Sequence, residues 1–276
     1  MNDILFAFLL TLIAGLATGI GGLVVLFSKA TDKRFLSICL SFSAGVMLYV
    51  SFADILPEAF EALEYEFADG IGYLIVTLSF FAGIALIALI DKFIPHSDEI
   101  AGLTEDSKEQ GNHEIFVQKD KTELKRTGIM AAVAIAVHNL PEGMIVFMAA
   151  VHDPAMGIAI ALAIVLHNIP EGIATAAPIY YSTGSKTRAF LFSFGTGFVQ
   201  VFGALAAWLL VRNVLDDMEI VFGIAFAAVA GIMVYVAIHQ LLPAAQKFGK
   251  HHIVMKWLFA GMAVMAGSLI VLAYVF

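Results

Sequence analysis

The chain has 276 residues, 61% of them hydrophobic and only 14% charged, with a mean hydropathy of +0.91. Length alone allows two water-soluble domains; this composition excludes them and defines a polytopic membrane protein embedded in the lipid bilayer. The net charge of −8 and the scattered basic residues exclude nucleic acid as a partner, and the lone Cys39 excludes an intrachain disulfide or a thiolate cluster.

A helix that crosses a bilayer needs about 20 mostly apolar residues. Eight stretches qualify, at about 4–27, 35–60, 71–94, 127–150, 154–179, 188–211, 219–246 and 253–275. The first starts with Met-Asn-Asp and has no basic leader, so it is expected to stay as a helix and not be cleaved. It carries Gly15 and Gly19, and spaced small residues recur as Gly195 with Gly203 and Gly261 with Gly267, a pattern expected to pack helices within the molecule. Cys39 in the second reads as a small core residue. Between the third and fourth lies one polar stretch, 95–126, whose lack of apolar periodicity predicts a mobile loop.

With the N-terminus outside, eight crossings leave only Arg212 of the 15 Lys and Arg on the outer side. That asymmetry supports the helix count and predicts that both termini face outward. The outer joints are acidic (Glu61, Glu64, Glu66, Asp69; Asp216, Asp217, Glu219), which fits either a funnel for cations or ordinary solvated helix ends. His96, His113, His251 and His252 fall on the inner side and His152 on the outer, as loop residues or as points of metal capture.

The chemistry is concentrated in the fourth and fifth segments. His138-Asn139-Leu140-Pro141-Glu142-Gly143 is repeated almost unchanged as His167-Asn168-Ile169-Pro170-Glu171-Gly172. Ionisable groups at membrane depth cost about 2.5–3.5 kcal/mol each on insertion scales. A chain that carries such groups twice, in the same order, is building a site. Positions i and i+4 lie on one helix face, about 6 Å apart along the axis. His138, Asn139 and Glu142 therefore share a face, as do His167, Asn168 and Glu171. Imidazole, carboxylate and amide oxygen together suit Zn²⁺, Fe²⁺, Mn²⁺, Co²⁺ or Cd²⁺. Two carboxylates balance one divalent ion, and a second would leave excess charge in a low dielectric. Pro141 and Pro170 are expected to kink their helices and free a carbonyl.

Further polar groups fall in apolar runs: Asp54 and Glu58 around Pro57, His239 and Gln240 before Pro243, and Gln200. They are read as secondary metal ligands or pathway residues, or as bundle-facing groups that satisfy one another.

The paired motifs resemble those of the ZIP (Zrt/Irt-like) family of divalent metal transporters, in its bacterial ZupT-like branch, and the resemblance covers almost the whole chain. It implies an all-α, eight-helix transmembrane bundle forming a single transport domain over residues 1–276. It also implies an inverted repeat that relates helices one to three to helices six to eight around helices four and five. His138, Glu142, His167 and Glu171 would form the main metal site, and Asn139 and Asn168 with the shared glutamates an adjoining one. Metal would be substrate, not prosthetic group, and would move into the cytoplasm across the bacterial inner membrane; a homodimer is the family-level expectation. Two departures stand out: Gln200 where related members often carry glutamate, and Gln240 and Ala244 where helix seven is often acidic.

Transport is thus the leading expectation, with ions leaving past Asp54, Glu58 and His239. An intramembrane metalloenzyme with the same ligands is the alternative, disfavoured because no His-Glu-x-x-His pair with a separate general base is present.

Overall fold

The computed structural model describes residues 3–27, 32–67, 70–93, 112–213 and 218–275. Among these, eight helices are long and apolar enough to cross a membrane, and no strand is present. They are α1 (Asp3–Leu26), α2 (Lys33–Val50, continued by Ser51–Ile55 and Leu56–Glu66), α3 (Ile71–Phe93), α4 (Asn112–His152), α5 (Pro154–Thr183), α6 (Lys186–Asn213), α7 (Met218–Tyr235, continued by Val236–Leu241 and Leu242–Phe248) and α8 (His251–Val275). Local chemistry sets several ends. Asp32 caps α2 by accepting from the Phe35 amide at 3.0 Å, and Asp153 caps α5 by accepting from Ala155 N at 2.8 Å, just ahead of Pro154. Gly184, at φ 67°, closes α5 in the left-handed conformation that glycine adopts without strain.

One expectation needs correction. The polar stretch 95–126 is not one loop: α4 begins at Asn112, and farther along it Glu123 and Arg126 pair with Lys247 of α7 and Asp91 of α3. Residues 94–111, with His96, lie outside the described residues, as do Asp69, Asp216 and Asp217. Pro141 and Pro170 lie inside continuous helices. The backbone ladder widens instead in α2 and α7, where the π-helical turns Ser51–Ile55 and Val236–Leu241 each run into a Leu-Pro pair. A π turn leaves one residue more per turn and re-aims its side chains, a device frequent at functional sites.

The helices form two groups of four. α1, α4, α5 and α6 lie chiefly against one another, and so do α2, α3, α7 and α8; α2 against α5 and α4 against α7 join the groups. Within each group, backbones meet at glycines. A Cβ at Gly15 would strike the Gly197 carbonyl, and one at Gly197 the Gly15 carbonyl. The same reciprocal arrangement ties α1 to α5 through Gly21 and Gly172, α4 to α6 through Gly143 and Gly203, α2 to α8 through Gly45 and Gly261, and α3 to α7 through Gly83 and Gly231. This set of contacts maps onto itself when α1, α2 and α3 exchange with α6, α7 and α8, and α4 with α5. Of the small residues noted in the sequence, Gly15, Gly19, Gly203 and Gly261 pack within the molecule, whereas Gly195 and Gly267 face open space. Cys39 is buried in the larger apolar cluster.

Because the α2–α8 contact leaves no room for a methyl group, Gly45→Ala is expected to cost about 1–3 kcal/mol. It should lower the melting temperature of the detergent-solubilised protein, and an unchanged melting curve would show that this seam is looser than described.

Candidate metal centre

α4 and α5 turn their repeated faces toward each other, so each histidine meets the carboxylate of the opposite helix. His138 Nε2 lies 3.1 Å from Glu171 Oε1, and His167 Nε2 lies 3.4 Å from Glu142 Oε1. All four side chains are buried. His138, Glu142 and Glu171 each offer a ligand atom such that the three atoms lie within 4.8 Å of one another, close enough to converge on one ion.

The asparagines are held by their amide nitrogens. Asn139 Nδ2 donates to the Thr196 carbonyl of α6 and Asn168 Nδ2 to the Ala14 carbonyl of α1, both at 2.8 Å. Their oxygens differ. Asn139 Oδ1 accepts from Gln200 Nε2 at 3.3 Å, whereas Asn168 Oδ1 is buried with no partner among the described residues. Gln200 also donates to Glu142 Oε2 at 3.0 Å, so this residue of α6 is part of the cluster and not remote helix glue. Glu171 Oε2, His138 Nδ1 and both ring nitrogens of His167 are likewise buried without hydrogen-bond partners. Native proteins rarely leave buried polar atoms unmatched, and such a concentration around one point marks a place that binds something.

A cavity of about 420 Å³ reaches the cluster, lined by Glu142, His167, Asp54, Glu58 and apolar residues of α5, α7 and α8. Glu58 also lines a second cavity of about 710 Å³ with Glu61, Tyr65, Met148, His152 and Met156. These residues lie toward the C-terminal ends of α2 and α4 and the N-terminal end of α5, the outer side by the basic-residue distribution. Asp54 and Glu58 therefore stand between the cluster and the outside, not on an inward exit. The reason is direction: α2 runs outward, so residues 54–58 lie beyond the bundle's midpoint.

His239 is also placed differently from expectation. Its side chain is 55% exposed, and its Nε2 lies 3.5 Å from Asp91 Oδ2 at the inner end of α3. Asp91 is buried, and it also accepts from Arg126 at 2.5 Å, Tyr235 OH at 3.2 Å and Gln240 Nε2 at 3.3 Å. The sequence marks His239 and Gln240 of this second polar cluster but not Asp91 and Arg126, which fall at the edges of apolar stretches, where charged residues are ordinary.

A multi-pass helical bundle with an intramembrane ligand cluster, opened to one side by acidic cavities, is the framework of an ion-conducting membrane protein. A family model described as ZIP Zinc transporter matches residues 4–123 and 95–273. The chain is 47% identical over 279 residues to a protein of Clostridium perfringens named Zinc transporter ZupT, covering 98% of this chain and 97% of that one. It is 47% identical over 277 residues to the protein of the same name from Nitratidesulfovibrio vulgaris (98% of each chain). The Lysinibacillus sphaericus protein of that name is 48% identical over 273 residues, covering 98% of this chain and 99% of the relative. The chain belongs to the ZIP zinc transporter family. Its members are transporters and not enzymes, which removes the metalloenzyme alternative.

Proposed function

We propose that this protein takes up divalent transition-metal ions, Zn²⁺ foremost and Fe²⁺, Mn²⁺, Co²⁺ and Cd²⁺ in addition, into the cytoplasm across the inner membrane of a bacterium. The observation that carries this reading is the buried convergence of His138, Glu142 and Glu171 within 4.8 Å, beside a cavity that Glu142 itself lines. Ions are drawn in by Glu61 and Glu58, pass Asp54, and reach His138, Glu142, His167 and Glu171. The cross-helix pairing prepares these ligands. Each carboxylate holds the facing imidazole in place, and an arriving cation takes over the carboxylate while the imidazole gives up any proton it carries.

Gln200 supports a stoichiometry of one ion. Its Nε2 sits against Asn139 Oδ1 and Glu142 Oε2, where the positive end of an N–H takes the place that a second cation would occupy. Glu142 Oε1, facing His167, stays available to the cargo. Asn168, with its free Oδ1, is the asparagine that joins the ligand set.

Radiolabelled Zn²⁺ influx into proteoliposomes tests the whole reading. Wild type should show saturable influx, reduced by about ten-fold or more in Glu142→Ala/Glu171→Ala; equal influx in both would overturn it. Ligation requires neutral imidazole and ionised carboxylate, so protonation removes ligands and influx should fall as the outer pH drops from about 7.5 to 5.5, through the ordinary histidine range. A flat profile would argue against histidine ligation. Gln200→Glu replaces the amide donors by a third carboxylate; bound zinc per chain, counted by elemental analysis, should rise from one toward two, and a count that stays at one would reduce Gln200 to packing.

A further inference from the structure

We propose that Asp91–Arg126 and Glu123–Lys247 form an inner gate, a pair of ionic latches that hold the two four-helix groups together beneath the metal centre while the outer side is open. This rests on the reading that cargo passes inward between the groups. The outer half of the boundary between the groups is split by the two cavities, whose walls come from α2, α7 and α8 on one side and α4 and α5 on the other. The inner half is bridged. Arg126 of α4 pairs with Asp91 of α3 at 2.5 Å, Glu123 of α4 pairs with Lys247 at the end of α7, and Tyr181 OH of α5 donates to the Asp32 carbonyl at the start of α2 at 2.6 Å. Every one of these bridges joins one group to the other, and every one lies at the inner ends of its helices. Between them and the metal centre, Ser43 Oγ of α2 donates to the Pro170 carbonyl of α5 at 2.7 Å, sealing the boundary one turn inward of His167.

Asp91 is built as a receptor. The π turn of α7 brings His239 and Gln240 to it together, and Tyr235 adds its hydroxyl, so the carboxylate is fully coordinated only when Arg126 of the opposite group is in place. A buried charge pair is costly to leave half-made, whereas a partly exposed pair such as Glu123–Lys247 contributes little. The Asp91–Arg126 contact is therefore the main latch and the Glu123–Lys247 contact an auxiliary one. Separating the groups at the inner end requires breaking both, and a path from the metal centre to the cytoplasm requires that separation.

The test uses a single reporter thiol, Ser43→Cys in a Cys39→Ser background, in everted membrane vesicles with a membrane-impermeant maleimide applied at the inner face and no metal added. The parent thiol should label slowly. Arg126→Gln should raise the labelling rate about ten-fold, as a shift in the closed-to-open population would. Arg126→Lys, which keeps the cation that Asp91 receives, should label close to the parent rate, which a general loss of packing would not do. If Arg126→Gln does not fold, Glu123→Gln takes its place, with a rise of about two-fold expected from its weaker pair. Labelling that is unchanged in the latch variant tested, or an Arg126→Lys variant that labels as fast as Arg126→Gln, overturns the gate. Labelling needs no zinc, so this failure is distinguishable from failure of the transport reading, which zinc influx reports separately.

Discussion

Putting two histidines and two glutamates side by side in an apolar interior sets the terms for the rest of the fold. An isolated carboxylate there would be strongly disfavoured, and a pair of facing carboxylates more so. The arrangement answers this by crossing the pairs between helices: His138 faces Glu171, and His167 faces Glu142. On each helix the histidine and the glutamate are i and i+4 neighbours on one face, yet each histidine meets the carboxylate of the facing helix. The cluster exists only where α4 and α5 lie against each other, so the chemistry and the packing of these two helices are a single requirement.

Close packing follows from glycine. Lipid supplies no hydrophobic drive between helices, so association depends on dispersion and on hydrogen bonds that short approach distances allow. Gly143 lets α4 approach the Gln200 carbonyl of α6, and Gly172 lets α5 approach the Thr18 carbonyl of α1. These approaches bring Asn139 within reach of the Thr196 carbonyl and Asn168 within reach of the Ala14 carbonyl. The glycine that ends each motif is thus the reason its asparagine is oriented. The reciprocal glycine contacts all fall within one group of four helices or the other, while the boundary between groups carries cavities, two hydroxyl contacts, ion pairs and part of the larger apolar cluster.

Much of this was legible in the sequence. Eight apolar runs gave eight helices with ends displaced by only a few residues, because hydropathy at membrane thickness is a strong signal; the start of α4 is the exception, since polar residues stabilised by partners across the bundle leave no periodic trace. The His-Asn-x-Pro-Glu-Gly repeats identified the cluster because ionisable groups set twice in the same order within apolar runs rarely serve packing alone. What the residues could not show was pairing across helices, nor which way a side chain faces along a path. Asp54 and Glu58 carry the right chemistry but stand on the outer side of the centre and not on the exit, and His239 belongs to Asp91. The π turns were invisible because Pro57 and Pro243 suggest only a helix start, while Pro141 and Pro170, which suggest a break, sit in continuous helices.

The near-symmetry of the centre makes its one asymmetry informative. Gly15 on α1 and Gly197 on α6 face each other, and from there Thr18 and Gly21 stand to α5 as Gln200 and Gly203 stand to α4, in the same spacing and with Thr18 and Gln200 each offering the carbonyl that a glycine of the facing motif approaches. The two positions differ in reach. Glutamine extends its amide to Asn139 Oδ1 and Glu142 Oε2, while on the opposite side Asn168 Oδ1 and Glu171 Oε2 stay buried without partners. Each half keeps one unmatched carboxylate oxygen, Glu142 Oε1 on one side and Glu171 Oε2 on the other, and the Asn168 half keeps an unmatched amide oxygen as well. The exchange of one long amide for one short hydroxyl thus leaves a twofold arrangement of side chains with unlike hydrogen bonding in its two halves.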